Sequence, residues 1–470
     1  MVQLNQDFIN SIRQDIPAHL SLDDFIDYCG RPLRRSIRIN TLKISVAEFQ
    51  SLMAPRGWQF EPIPWCPAGF WLTGHNDDEL GNCIEHIHGL FYIQEASSML
   101  PPTALFMDDA SFERVLDTAS APGSKTTQIA ALMQNQGLLV ANEYSSSRVK
   151  VLHANIARMG VSNSAITHFD GRVFGEYQFE TFDAVLLDAP CSGEGTVRKD
   201  PDALKHWRLD EIEDIAQTQR ELILSAFQAL KSGGMLVYST CTLNTLENQQ
   251  VCQFLKDTYP DAVEFVTLAN LFDGAHKATT TEGFLHVWPQ VYDSEGFFVA
   301  AIKKMASVER ALPKPRAQKN FPFTHASRKQ REAISAHLNA LGLNLPEDQS
   351  LMVREAEYWL FPQGFDELIG SMRFQRIGMK LADEAKHGFK LRHEAIMALP
   401  CSPKDVIELS EQQAVEYLMG RDVLFDGDKP AKGEVIVGRH GVPLGLAKSL
   451  PGKLKNSLPR ELVRDKVCQA

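Results

Sequence analysis

Between Glu113 and Lys304, short and wholly apolar runs alternate with longer segments of helical period, and this alternation constrains the fold more than any other feature. The runs "RVLDTA" (114–119), "GLLVANE" (137–143), "SAITHF" (164–169), "FDAVLLD" (182–188) and "GGMLVYS" (233–239) read as strands. The spacing predicts helices over 124–135, 145–159 and about 209–230. The second of these puts Val149, Leu152, Ile156 and Met159 on one face, with Ser145, Ser146 and Ser147 available as caps. The third has Ile212, Ile215, Leu222, Ile223, Phe227 and Leu230 at helical spacing. Strands that are apolar on both faces and separated by helices predict a parallel sheet covered on both sides. The expected class is therefore α/β, a Rossmann-like doubly wound domain, with "GFFVAAIKK" (296–304) as an added edge strand.

A chain of 470 residues exceeds one ordinary core. Residues 1–105, broken by "EPIPWCPAGFW" and "MLPP", are expected to form an N-terminal α+β lobe, and 106–305 the α/β domain. The Pro- and Lys-rich stretch 306–329 reads as a linker, 330–383 as an intermediate domain and 384–470 as a β-rich module. No window approaches the roughly eighteen apolar residues of a membrane span, and "MVQLNQDFINSIRQDIP" lacks a basic region followed by an apolar one, so a cytoplasmic location is expected. Eight cysteines without a CxxC pair argue for free thiols, with neither a disulfide framework nor a metal site.

The net charge of −11 would discourage a polyanion partner, but its distribution does not. Residues 31–43 carry five basic residues and no acid; 303–333 carry nine against Glu309 and Glu332; 431–470 carry eight against Glu434, Glu461 and Asp465. Each island alone reads as solvated surface; three together predict a track for RNA or DNA. Arg35, Arg38, Arg198 and Lys199 are candidates for phosphate contacts.

In an open α/β sheet, ligands bind beyond the carboxyl ends of the strands. The first strand ends at Asp117 and enters the loop Thr118, Ala119, Ser120, Ala121, Pro122, Gly123, Ser124, Lys125. Thr118 stands where a phosphate loop needs its first glycine, and no G-x-G-x-x-G is present, so nucleoside triphosphates and dinucleotides are disfavoured. Glu143, 26 residues after Asp117, is placed to accept hydrogen bonds from a ribose diol, and Asp170 from an exocyclic amine. A nucleoside cofactor without a pyrophosphate fits best. With Asp188, four acids follow four successive strands.

"LDTASAPGSKTTQ", "DAPCSGEGT" and "YSTCT" together resemble the RNA cytosine-5 methyltransferases that use S-adenosyl-L-methionine, the group related to the bacterial protein Fmu and the eukaryotic Sun-type proteins. The likeness covers about 31–304, and "RINTLK", "YIQEASSMLP" and "EGFFVAAIKK" are similar to the flanking motifs. Ser124 departs from the glycine usual in the family; a residue this small is expected to leave the loop intact.

The resemblance implies covalent catalysis. Carbon 5 of cytosine becomes nucleophilic once a thiolate adds to carbon 6, and the base must leave its stack to be reached. It further implies that Cys241, in "STC", is the nucleophile and that Cys191, in "PC", assists product release. Asp188 is implied to contact the methionine part of the cofactor and is also placed to hold the base edge; Lys125 is expected beside cofactor or target nucleotide, its alternative being an exposed first-turn residue. The tail "VPLGLAK…GKLKNSLPREL" resembles a PUA-like RNA-binding domain. The whole layout resembles bacterial members that modify 16S ribosomal RNA in the small ribosomal subunit, and a monomer is expected. Transfer RNA as substrate, a nucleotide-dependent enzyme on the same fold, and a non-catalytic ribosome-associated protein are the competing readings.

Overall fold

The computed structural model describes residues 4–74, 80–205, 207–402, 405–425 and 433–468. Helices α1 (Gln6–Asp15) and α2 (Leu22–Cys29) are capped by Asn5 and Ser21, whose side chains accept from backbone N–H groups of the first turn. They lead into an antiparallel sheet of β1 (Ser36–Ile39), β2 (Gln59–Pro62), β3 (Gly69–Thr73) and β4 (Phe91–Ile93), ordered β2-β3-β1-β4. Ile37, Ile39, Phe49, Trp58 and Phe91 form this lobe's own core. Helix α3 (Leu100–Leu105) belongs to the next layer, because Leu100, Ala104 and Leu105 pack on the central sheet.

The central sheet contains β5 (Arg114–Asp117), β6 (Leu138–Asn142), β7 (Ser164–Thr167), β8 (Phe182–Asp188) and β9 (Leu230–Thr240), all parallel and ordered β7-β6-β5-β8-β9. Between them run α4 (Ser124–Leu132), α5 (Ser146–Met159) and α6 (Leu209–Ala229). The period-2 pleat explains why these strands are apolar throughout. Val115, Ala184, Leu186 and Val237 face α3, α4 and α5, whereas Leu116, Val185, Leu187 and Tyr238 face α6 and α7 (Gln249–Thr258). The Rossmann-like doubly wound expectation is met, and strand order reverses between β5 and β8.

One expectation is corrected. The strand at 296–304 is not at an edge: β12 (Phe297–Lys304) runs antiparallel between β9 and β10 (Val263–Val266), and also pairs with β11 (Leu285–Val287). Its burial on both faces, through Phe298, Val299, Ala300, Ala301 and Ile302, is that of an interior strand.

The region read as a linker is fastened down: Phe321 and Phe323 pack against Trp359, Phe361 and Phe365, and β13 (Thr324–His325) opens a third sheet with β14 (Ser350–Arg354), β15 (Glu357–Phe361), β17 (Met379–Ala385) and β18 (Gly388–Leu391). The intervening β16 (Arg376–Ile377) leaves that sheet and pairs with β7, so the third module extends the central sheet by one short strand. Helix α8 (His393–Ala398) then leads to the C-terminal module. Its strands β19 (Val406–Glu408), β20 (Val423–Leu424), β21 (Gly433–Arg439), β22 (Val442–Leu450) and β23 (Lys453–Asn456) surround Tyr417 of α9 (Glu411–Leu418). Arg56 joins this module to the first lobe through Glu411 (3.1 Å).

Candidate active site

Beyond the carboxyl ends of β5 to β9, the predicted residues converge. Asp117 ends β5 and is buried; its Oδ2 accepts from Thr126 Oγ1 (2.7 Å) while Oδ1 has no hydrogen-bond partner. Burial pushes this carboxyl up to about 6, partly offset by the Thr126 bond. The following loop turns at Gly123, whose φ of 107° is left-handed and whose missing Cβ would lie 3.2 Å from Leu152 Cδ1. Ser124 starts α4 with its carbonyl accepting from Arg38 Nη1 (2.8 Å), so the departure from glycine leaves the loop formed. Glu143, just past β6, accepts from Ala121 N (3.3 Å) and Ser145 N (2.8 Å).

Asn142, which sequence reasoning missed, ties three loops: its Nδ2 donates to the carbonyls of Thr118 (3.0 Å) and Phe169 (2.9 Å), and its Oδ1 accepts from Thr167 Oγ1 (2.9 Å) and Phe169 N (3.0 Å). Asp170 follows β7 but is engaged on both oxygens by Arg172, which also reaches Glu221 (2.8 Å). Hydrogen bonding to Arg172 lowers its pKa. Asp170 thus offers fewer open lone pairs than Asp117 or Glu143.

The two cysteines meet. Cys191 lies three residues past β8 and Cys241 one residue past β9, and because these strands are parallel neighbours, with Asp188 opposite Ser239, the sulfurs are 3.3 Å apart. A hydrogen bond to Cys241, burial, and the negative charges of Glu247 and Asp188 hold Cys191 as a thiol, well above its ordinary pKa. The remaining cysteines are free, and Cys29, Cys66, Cys83, Cys252 and Cys468 are buried.

Lys125 is not exposed. Its Nζ bridges Asp188 Oδ2 (2.8 Å) and Ser98 Oγ (3.0 Å) and sits 5.3 Å from the Phe297 ring centroid. Burial opposes its charge, but Asp188, Cys241 and Asp117 together raise its pKa above the usual lysine value. Asp188 also accepts from Ser239 Oγ (2.7 Å).

Two buried carboxylates, both missed by sequence reasoning, lace the cysteine loops. Glu194 accepts from Thr242 Oγ1 (2.8 Å), Leu243 N (3.1 Å), Asn244 N (2.9 Å) and Trp207 Nε1 (2.7 Å). Glu247 accepts from Ser192 N (2.9 Å), Gln219 Nε2 (2.9 Å) and Asn244 Nδ2 (2.7 Å). A further acid, Glu295, lies against Glu95, which accepts its N–H (3.2 Å). Burial and Glu95 push Glu295 up to about 8, against the opposing pull of Lys199, Lys125 and Arg198.

Two of the four proposed phosphate contacts, Arg38 and Arg198, are corrected. Arg38 is 2 % exposed and donates to Ser124 O and Thr127 Oγ1 (2.8 Å each). Arg198 donates to Ser294 O (3.1 Å) and Pro32 O (2.7 Å) and pairs with Asp293 (2.8 Å). Lys43 and Lys304 likewise spend their ammonium groups on backbone carbonyls. Arg38, Arg198 and Lys43 thereby join the first lobe to the central domain, and Lys304 ties β12 to α6 and β9 within that domain, whereas Arg35 and Lys199 stay exposed. Of the third basic island, 431, 432, 469 and 470 lie outside the described residues. Among the described residues no cluster of His, Cys, Asp and Glu could hold a metal ion, and no helix is long and apolar enough to cross a membrane.

Comparison with known proteins places this geometry. Residues 104–303 match the family described as 16S rRNA methyltransferase RsmB/F. Residues 4–96 match the N-terminal domain of 16S rRNA methyltransferase RsmF, 323–399 the pre-PUA domain of ribosomal RNA small subunit methyltransferase F, and 404–464 the methyltransferase RsmF PUA domain. Ribosomal RNA small subunit methyltransferase F of Shewanella sp. (strain MR-7) is 66% identical over 476 residues, 99% of this chain and 98% of the relative. The chain belongs to the RsmB/F family of 16S rRNA methyltransferases. The same-named protein of Shewanella oneidensis is 65% identical over 468 residues, 99% of this chain and 98% of its own. Among solved structures, a methyltransferase homolog protein from Pyrococcus horikoshii is 33% identical with a TM-score of 0.52, covering 64% of this chain and all of that one (100%). A second, NSun6 from Pyrococcus horikoshii with SFG, shares the fold at 22% identity and a TM-score of 0.56, over 64% of this chain and 98% of that one.

Proposed function

We propose that the family activity is carried out here as S-adenosyl-L-methionine-dependent methylation of carbon 5 of a cytosine in 16S ribosomal RNA of the small subunit, through a covalent bond between Cys241 and carbon 6. The observation that carries the reading is the 3.3 Å approach of the Cys191 and Cys241 sulfurs beside the Lys125–Asp188 pair. The cofactor's needs fit the residues present: Asp117 Oδ1 is a buried acceptor without a partner, Glu143 closes the second strand, and Gly123 leaves room above Leu152. Ala119, Ser120, Ala121, Pro122, Gly123, Ser124 and Lys125 would line its site, with Glu143 on the ribose, Asp170 toward the base and Asp117 and Asp188 toward the amino-acid end. Bound there, S-adenosyl-L-methionine supplies an electrophilic methyl group.

The chain's own residues do the rest. The Cys241 thiolate forms the sulfur–carbon 6 bond, and the electron pair of the ring double bond moves toward carbon 5. Lys125 and Asp188 offer a donor and an acceptor to the pyrimidine edge, and Ser98 and Ser239 hold both in place. Once carbon 5 carries the methyl group, its proton passes to a water molecule, the pair of that carbon–hydrogen bond re-forms the ring double bond, and the sulfur–carbon bond breaks to return its pair to Cys241. Cys191, kept as a thiol against that sulfur, supplies the hydrogen bond that stabilises the leaving thiolate.

The test is product identity. Wild type, Cys241→Ala and Cys191→Ala proteins are incubated with cofactor and small subunits, and the RNA is digested to nucleosides for mass spectrometry. Wild type is expected to yield 5-methylcytidine and Cys241→Ala none; a methylated product of any other base or position would refute the reading. Purified transfer RNA in the same assay separates the alternative substrate.

A further inference from the structure

Away from the cysteines, a cavity of about 620 Å³ opens where the first lobe, α5, α8 and the C-terminal module meet. Its lining includes the apolar side chains of Ile87, Met397, Leu418, Leu444, Leu458 and Leu462. The same lining carries the imidazoles of His86, His88, His153 and His393 and the guanidinium groups of Arg158, Arg392 and Arg464.

The charges do not cancel. Glu394 is committed to Arg376 and lies 3.9 Å from His153, and Arg392 is paired with Asp383 (2.5 Å). Arg158 donates only to neutral acceptors among the described residues: His86 O (2.7 Å), Phe91 O (3.3 Å) and Asn155 Oδ1 (3.2 Å). Arg464 forms no ion pair among the described residues, and Glu461 is the remaining carboxylate of the lining. Burial lowers Arg158 to about 10, with Arg464 contributing as a like charge, so Arg158 stays cationic at neutral pH. His86 feels the same field: burial first, then Arg158 and Arg464, push it down to about 3 against the bond to Gly81 O. Burial and Lys43 similarly lower His88 to about 3 and His393 to about 4. These three imidazoles are neutral; His88 is almost wholly buried with its Nε2 on Pro443 O (2.7 Å), and the His86 ring packs against Phe91.

An apolar lining, neutral imidazoles and an exposed guanidinium without a carboxylate partner, Arg464, with the Arg158 charge in the same lining, match one ligand class, a nucleotide with its base in the cavity and its phosphate on Arg464. The volume is of the right order for such a ligand. Asn155, on the rim, donates to Pro122 O (2.9 Å) in the cofactor loop, so the cavity adjoins the ligand edge of the sheet. We propose that this cavity holds one unpaired nucleotide of the RNA substrate, fixing the strand at a point apart from the target cytosine. The inference rests on the RNA-methylation reading above.

Arg464 is exposed, so Arg464→Glu should fold, which the thermal midpoint checks. With small subunits as substrate, its KM is expected to rise at least tenfold while kcat and the Kd for cofactor stay unchanged. In a second arm, substrate RNA carrying 4-thiouridine is photocrosslinked to the wild-type protein, and RNA-bearing peptides are expected to include residues 153–158 or 458–464. A KM within twofold of wild type, or crosslinks absent from both segments, would overturn the proposal, even if free uridine monophosphate bound the cavity. The crosslinking arm needs no turnover, so failure of the cytosine chemistry and failure of the cavity assignment are read separately.

Discussion

The two halves of the ligand edge are built differently. Around β5, β6 and β7 the organiser is a neutral amide, Asn142, which ties the loops while the carboxylates of Asp117 and Glu143 keep acceptor capacity. Around β8 and β9 the organisers are buried anions, Glu194 and Glu247, which spend their lone pairs on the two cysteine loops. The difference follows from what each half must present. A half that binds a ligand through carboxylates is best held by groups without charge, whereas a half that must fix two sulfurs 3.3 Å apart gains rigidity from charge-assisted bonds.

Perturbing each half should therefore give distinct signatures. Cys241→Ala is expected to abolish turnover, by about a thousandfold or more, with cofactor affinity intact; single-turnover methylation and calorimetry measure the two. Glu194→Ala strips the acceptor from four donors and should cost about 3 kcal/mol of stability along with activity, read by urea unfolding and turnover. Glu143→Ala should spare the cysteine half and weaken cofactor binding by roughly 10- to 100-fold, the worth of one charge-assisted contact. If Glu194→Ala instead weakened only cofactor binding, the division would fail.

The smallest effect is one of pH. Glu295 titrates near 8 in the folded chain against an ordinary 4.5, so between these values the folded state holds the extra proton. Its contribution to stability is complete below about pH 4.5 and is lost as pH rises through about 8. Glu295→Gln, which cannot ionise, should flatten the fall of the thermal midpoint between about pH 4.5 and pH 8; an unchanged slope would place the proton elsewhere.

The cysteine pair was legible because two local motifs end two strands that the fold makes parallel neighbours. Glu194 and Glu247 were not, since their partners Asn244 and Ser192 stand 50 and 55 residues away and no local spacing reports them. Arg38 and Arg198 were misread as phosphate contacts because their acceptors include backbone carbonyls, which every residue owns. The strand β10 has only Val263 buried, too weak a pattern to predict, and without it β12 looked like an edge. Similarly, β16 is two residues long and gains its place only by pairing with β7.

The central claim is that Cys241 forms the bond to the ring and Cys191 helps to break it. Cys191→Ala protein incubated with S-adenosyl-L-methionine and small subunits, then run on a denaturing gel beside a Cys191/Cys241 double alanine variant, tests it most directly. A protein–RNA adduct in the single variant that vanishes in the double variant is the predicted result. An adduct that persists in the double variant, or its absence from the single variant while wild type still transfers methyl groups, would contradict the assignment.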